Sequence, residues 1–102
     1  MTAMQLITRV AIRNGWTAVS TRRFGCLLIL NYGRNGIVRE RVEIRYAPSG
    51  GVHSAYYVVG SSQVAYIGPG ATGRRAATIR WLKLKSHNSA FGKNSATKLK
   101  EK

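Results

Sequence analysis

The sequence is almost without acidic residues. Aspartate is absent, and three glutamates stand against 17 lysines and arginines in 102 residues, which gives a formal net charge of +14 at pH 7. A surface that serves only solubility usually mixes charges of both signs, and so large a positive excess raises the local concentration of polyanions. The charge therefore predicts a polyanionic partner, with nucleic acid first, an acidic protein surface second and anionic lipid third.

Groups that support catalysis or metal binding are also scarce. His53, His87 and Cys26 are too few for a zinc site. Glu40 and Glu43 are predicted on one strand, where they point to opposite faces and cannot share a metal for phosphodiester cleavage. His53 lies in a tyrosine-rich strand, where an imidazole is more often structural than a general base. We therefore expect no enzymatic activity, no catalytic residue, no bound metal and no cofactor.

Long apolar runs and paired cysteines are missing as well. No apolar segment approaches the roughly 20 residues needed to cross a bilayer, so we expect no membrane association. The first residues include Arg9 and lack the apolar core of a signal peptide, so we expect a cytoplasmic protein. Cys26 has no partner for an internal disulfide, and within an apolar stretch it is expected to be a small buried hydrophobic residue.

The chain is organised around a β-forming stretch, residues 24–46, which contains the hairpin signal Asn35-Gly36. A two-residue loop at this signal would place leucines opposite charged residues. A three-residue loop, residues 34–36, pairs apolar positions with each other and is preferred, because a slip of one residue exchanges the two faces of a strand. The preferred register predicts the pairs Tyr32–Val38, Leu28–Val42, Cys26–Ile44 and Phe24–Tyr46.

This register gives the hairpin an apolar face and a cationic face. The residues expected in the core are Cys26, Leu28, Val42 and Ile44. The opposite face carries alternate residues of the second strand beside Asn31, namely Arg39, Arg41, Glu43 and Arg45. Glu40 falls next to Leu30 on the apolar side, so we expect it to lie near a sheet end or to be paired.

Two helices and further strands complete the predicted elements. Residues 2–14 are predicted to form a helix capped by Thr2, with Gly15 in the left-handed conformation after it and Trp16 in the core. Residues 17–23 are predicted to lead directly into the first hairpin strand, and residues 52–59 and 63–67 form later strands. Thr72 is expected to cap a second helix that runs through about residue 84 and buries Trp81.

The predicted fold class is α+β. It consists of a small antiparallel meander of three to four strands, with an N-terminal and a C-terminal helix packed on one face, in the order α-β-β-β-(β)-α. Residues 1–85 are expected to form a single domain. Residues 86–102, which are rich in Ser, Asn and Lys, are expected to form a basic, flexible tail.

The order of these elements resembles the layout of double-stranded-RNA-binding domains, in which the final helix begins with basic residues. Gly73-Arg-Arg-Ala-Ala resembles that helix start, while Gly33-Arg-Asn-Gly36 stands where that family has a histidine-bearing loop. The opening helix, which ends in Asn14-Gly15-Trp16, also looks like the start of small mRNA-interferase toxins. Their catalytic histidine has no counterpart here, so that activity is not carried over, and we assign the chain to neither family.

Cations recur in three patches, namely the strand arginines, the second helix and the lysines of the tail, and the candidate binding residues come from the first two. Arginine is favoured at such sites because its planar guanidinium makes bidentate contacts with phosphates and base edges. Residues 68–73 lack the Lys-Ser/Thr ending of a nucleotide-binding phosphate loop, but the backbone N–H groups at the start of the second helix suit one phosphate. The candidates are Arg39, Arg41 and Arg45 on the sheet and Arg74, Arg75, Arg80, Lys83 and Lys85 on or after the second helix.

These observations predict a small, strongly basic, non-enzymatic protein that binds DNA or RNA, mainly through the phosphate backbone. Two alternatives from other classes stay open. One is a structural subunit of a ribonucleoprotein or virion, whose charge neutralises its neighbours. The other is a small regulatory protein that docks on an acidic partner protein.

Overall fold

The computed structural model describes residues 1–35 and 38–85. These residues form an α+β fold with one antiparallel sheet, as the sequence predicts. The elements are α1 (Ala3–Arg13), β1 (Thr17–Phe24), β2 (Leu27–Arg34), β3 (Glu40–Tyr46), β4 (Val52–Val59), β5 (Ser62–Ile67) and α2 (Arg74–Lys83). The sheet has five strands in the order β1-β2-β3-β4-β5, and the predicted flexible tail lies outside the described residues.

The fifth strand exists because β1 and β2 are separate strands. They are joined at Gly25-Cys26, where Gly25 has a φ of +62°, a conformation that suits glycine in the first position of a two-residue hairpin loop. The prediction of one continuous strand through this point was wrong. Cys26 therefore lies exposed in a turn and not buried in a strand.

The register of the central hairpin also differs from the prediction. Leu28 pairs with Tyr46 and not with Val42, Tyr32 pairs with Val42 and not with Val38, and the connection spans residues 35–39. The shift is an even number of residues, so each strand keeps the predicted face toward the core. Val42 and Ile44 are completely buried and Leu28 is half-buried, and the predicted pairing of Cys26 with Ile44 does not form.

Both helices pack on one face of the sheet, as predicted. Their core residues Ile7, Ala11 and Leu82 join Trp16 and inward-facing strand residues in one cluster. The strand residues in this cluster are Tyr32, Val42, Ile44, Tyr46, Val52, Ala55 and Tyr57. Trp16 is buried as expected, whereas Trp81 is half-buried and stacks on Tyr57 with ring centroids 6.4 Å apart.

The helix ends follow local chemistry. At the start of α1 the Thr2 hydroxyl accepts a hydrogen bond from the Gln5 amide at 3.1 Å, and the Thr2 amide donates to Gln5 Oε1 at 2.9 Å, which is a capping box. Gly15 has the expected left-handed conformation. The prediction of a Thr72 cap on α2 was wrong, because Gly73 occupies the cap position in a left-handed conformation and makes no side-chain cap bond. Among the described residues, neither helix has the length and apolar character required to span a bilayer.

Candidate nucleic-acid interface

Both acidic residues in the described part of the chain, Glu40 and Glu43, are buried and paired. Glu40 has no exposed surface and lies at the start of β3, opposite Arg34 on β2. It therefore meets the expectation of a position that is paired and near a sheet end. Glu43 is 4% exposed, on the face of the sheet away from the helices.

Glu40 is the centre of an internal polar network. The Arg34 guanidinium lies 2.9 Å from Glu40 Oε1, and the Tyr57 hydroxyl donates to the same oxygen at 2.9 Å. Arg34 also lies 4.2 Å from the centroid of the Trp16 ring and donates to the Leu84 carbonyl oxygen at 2.7 Å. Burial and the hydrogen bond to Glu40 raise the pKa of Tyr57 to about 12. The network joins β2, β3 and β4 to the end of α2, so its role is structural.

Glu43 is bonded within the opposite face of the sheet. It accepts hydrogen bonds from the Tyr56 hydroxyl and from Arg45 Nε, the latter at 3.2 Å, and Arg22 Nη2 lies 3.9 Å from its second oxygen. Burial, followed by the hydrogen bond to Glu43 and the charge of Glu43, raises the pKa of Tyr56. Glu43 thus holds Arg45 and Tyr56 in place and offers little negative charge to the solvent.

We use the term outer sheet face for the cationic and aromatic side chains that surround Glu43. Register places them together, since Glu43 pairs with Tyr56, and Tyr56 pairs with Tyr66 on β5. The Tyr56 and Tyr66 ring centroids are 6.3 Å apart, and the Arg45 guanidinium carbon lies 5.5 Å from the Tyr56 centroid. The members of the outer sheet face are Arg22, Arg41, Arg45, Tyr56 and Tyr66.

A second set of cations lies on the helix side of the molecule. A shallow depression between the helices is lined by Leu6 and Ile79 together with Arg75, Arg80 and Lys83, and those three cations are exposed. A neighbouring depression near the ends of both helices is lined by four cations, Arg13, Arg34, Lys83 and Lys85. Because the helices cover the face opposite Glu43, the sheet separates these cations from the outer sheet face.

The structure divides the sequence-predicted site residues between these two sides. Arg41 is exposed on the outer sheet face, while Arg45 is half-buried and bonded to Glu43. Arg39 is exposed but precedes β3, so it belongs to the connection and not to the strand. Arg74 is half-buried and donates to the His53 carbonyl oxygen at 3.2 Å, whereas Arg75, Arg80, Lys83 and Lys85 are exposed on the helix side.

Three members of the outer sheet face were absent from the predicted site. Arg22 is on β1, which the sequence did not separate from β2. Tyr56 could have been found, because it alternates with the core residue Tyr57 and so must face away from the helices. Tyr66 reaches the site only through the pairing of β5 with β4, which no local sequence signal specifies.

Comparisons with protein-family models, with curated proteins and with solved structures each found no match. Within residues 1–35 and 38–85, no group of three or more His, Cys, Asp or Glu side chains is placed to hold a metal ion. The function is therefore argued from the surface chemistry of the chain itself.

Proposed function

We infer that the protein binds nucleic acid without catalysing a reaction on it, mainly through contacts with backbone phosphates. One observation carries this proposal: both acids of the described chain are buried and paired, whereas most of its arginines and lysines are exposed. Within residues 1–35 and 38–85, most of the positive charge is thus presented to the solvent with almost no exposed negative charge to offset it. A polymer of phosphates is the partner whose charge spacing suits such a surface.

The salt dependence of binding tests this proposal. The protein is titrated against fluorescently labelled duplex DNA, duplex RNA and single strands at several salt concentrations. If about four to six phosphates are contacted, the slope of log K against log salt is near −4 to −5 for duplex DNA and about −3 to −4 for a single strand. Affinity that does not change with salt, or no binding at about 0.1 M salt, would refute phosphate contact as the basis of function.

Matched charge removals locate the contacts. Arg22→Gln with Arg41→Gln removes two charges from the outer sheet face, and Arg80→Gln with Lys83→Gln removes two from the helix side. Lys98→Gln with Lys100→Gln removes two from the C-terminal segment, so all three double variants have the same net charge. If the outer sheet face is the site, only the first pair flattens the slope by about two units. Equal effects from all three pairs would mean that binding follows net charge alone and that the outer sheet face is not a specific site.

Competition separates nucleic acid from an acidic protein partner. Poly-glutamate presents carboxylates without phosphates or bases, and it is matched to the oligonucleotide in total charge. We expect nucleic acid to displace the labelled oligonucleotide at a lower concentration than poly-glutamate, since arginine forks make bidentate contacts with phosphate and can stack on bases. Equal displacement would favour docking on an acidic protein.

A further inference from the structure

We propose that the outer sheet face binds single-stranded nucleic acid, with Tyr66 stacking on an unpaired base while Arg22, Arg41 and Arg45 contact phosphates. This inference rests on the proposed function and adds the class of nucleic acid and the side chain that recognises it. The observations that carry it are the width of the sheet, the placement of Tyr66 and the charge around it.

The width of the sheet argues against recognition of base edges in a duplex by this face. Neighbouring strands lie about 4.8 Å apart, so a five-stranded sheet is roughly 19 Å across. The major groove of B-DNA is about 12 Å wide and admits a helix or a two-stranded ribbon. The outer sheet face is therefore too wide to enter the major groove as a whole. A single strand can lie across it with its bases turned toward the protein.

Tyr66 is placed to act as a stacking platform. Its side chain is on an edge strand, and the residue is 57% exposed, so more than half of its surface is open to a ligand. The centroid of its ring lies 6.3 Å from that of Tyr56, and the ring packs against Gly68, where an added Cβ atom would lie 3.0 Å from the Tyr66 hydroxyl oxygen. An aromatic ring that is already positioned loses little conformational freedom when a base stacks on it.

The cations on the strands beyond Tyr66 complement a sugar-phosphate backbone. Arg41 is exposed on β3, and Arg22 is exposed on β1 at the far side of Glu43. Arg45 is bonded to Glu43 and keeps 35% of its side chain exposed. A strand of nucleic acid that crosses the sheet from β5 to β1 would therefore meet an aromatic ring first and cations after it. This combination of aromatic rings and cations in one surface is typical of proteins that bind single strands.

The test separates the contribution of the bases to the binding affinity from the contribution of the phosphates. Binding of a labelled oligothymidylate about 15 nucleotides long is compared with binding of an oligomer of the same length that has phosphates but no bases. We expect the bases to improve the affinity at least about fivefold, because one base stacked on an aromatic ring contributes roughly that much or more. We also expect the single strand to compete better than a duplex of equal length.

Variants of Tyr66 test whether its ring is the source of the gain in affinity that the bases provide. Tyr66→Ala is expected to lose the preference for bases while keeping the affinity for the baseless oligomer, and Tyr66→Phe is expected to retain it. Val64→Ala is the matched control, because Val64 is exposed on the same edge strand but has no ring. Circular dichroism and sedimentation check that each variant keeps the fold and the oligomeric state.

The outcomes distinguish this inference from the proposed function. Salt-dependent binding with equal affinity for both oligomers would keep the proposed function and overturn the stacking site. A preference for bases that survives in Tyr66→Ala would overturn the role of Tyr66. A change in oligomeric state in Tyr66→Ala, with unchanged affinity, would mean that β5 meets a second copy of the chain instead. If neither oligomer binds, both proposals fail.

Discussion

Replacing Arg34 with methionine should destabilise the protein strongly, because it would remove the guanidinium that forms an ion pair with the buried carboxylate of Glu40. Arg34 is 8% exposed at its side chain and Glu40 is 0% exposed. Methionine keeps an unbranched stem against Trp16 but removes the ion pair at 2.9 Å and the hydrogen bond to Leu84 at 2.7 Å. The Tyr57 hydroxyl would still donate to the carboxylate, but a neutral donor does not replace the charge of Arg34.

The expected loss is large compared with the whole stability of the domain. Removing one partner of a buried ion pair costs about 3–5 kcal/mol. A chain of this size is expected to have a free energy of unfolding of roughly 5–10 kcal/mol, so the variant should be near the limit of folding. Glu40→Gln should cost less, because an amide oxygen can still accept from Arg34 and Tyr57.

The double variant Arg34→Met with Glu40→Leu provides the control. It replaces both charges by apolar groups, which is often close to neutral for a buried pair, although Tyr57 and Leu84 lose their partners. We expect it to be at least about 1 kcal/mol more stable than Arg34→Met alone, which is a coupling typical of residues in contact. Urea unfolding is followed by tryptophan fluorescence, which reports on Trp16 and Trp81, and by circular dichroism.

Two results would refute this reasoning. If Arg34→Met changes the free energy of unfolding by less than about 0.5 kcal/mol, the typical range of surface substitutions, the pair is not buried in solution. If the loss of stability in the double variant equals the sum of the losses in Arg34→Met and in Glu40→Leu, the two residues do not act as a pair.

Three further predictions concern the core. Val42→Ala should lower the free energy of unfolding by about 1–3 kcal/mol through lost burial and a cavity, and a urea melt that shows no change would contradict its position. Trp81→Ala should lower the free energy of unfolding by about 2 kcal/mol and the Tm by roughly 10 °C. The nucleic-acid affinity of the folded variant should be unchanged. Loss of affinity at unchanged Tm would instead make Trp81 a contact residue. Burial raises the pKa of Tyr57 to about 12, so the folded state retains this proton longer than the unfolded state. The stability that this group contributes should therefore be fully present below about pH 10 and be lost as the pH rises from 10 to 12. The fall should be shallower in Tyr57→Phe, and identical slopes would contradict the assignment.

The sequence was sufficient to predict which face of each central strand lies in the core and where the first helix begins and ends. Alternation alone assigns Val42 and Ile44 to the core and Glu43 to the other face, and these assignments depend only on the period of a strand. Thr2 and Gly15 mark the ends of α1 because capping and left-handed conformations are local properties. The five-strand sheet was harder to predict because β1 has no buried residue and thus no apolar face.

The hairpin register could not be read from the sequence, because two registers that differ by an even shift give the same faces. The signal of Asn35-Gly36 favours a short loop. The observed register instead places Arg34 opposite Glu40, and an unpaired buried carboxylate costs more than a less favourable turn. The buried pair therefore decides the register, while the outer sheet face depends on β5, whose place is known only once the strands are paired.

The bonds at the end of α2 have a consequence for the order in which the protein folds. All four strand pairings join strands that are consecutive in the chain, so the sheet can grow one hairpin at a time. The hydrogen bonds from Trp16 to Leu82 and from Arg34 to Leu84, in contrast, span 66 and 50 positions, and such contacts form late because they close long loops. A nascent chain that ends before α2 would leave uncovered the part of the core face on which α2 packs, including Tyr57. Docking of the last helix therefore sets how long that apolar surface is exposed to aggregation during synthesis.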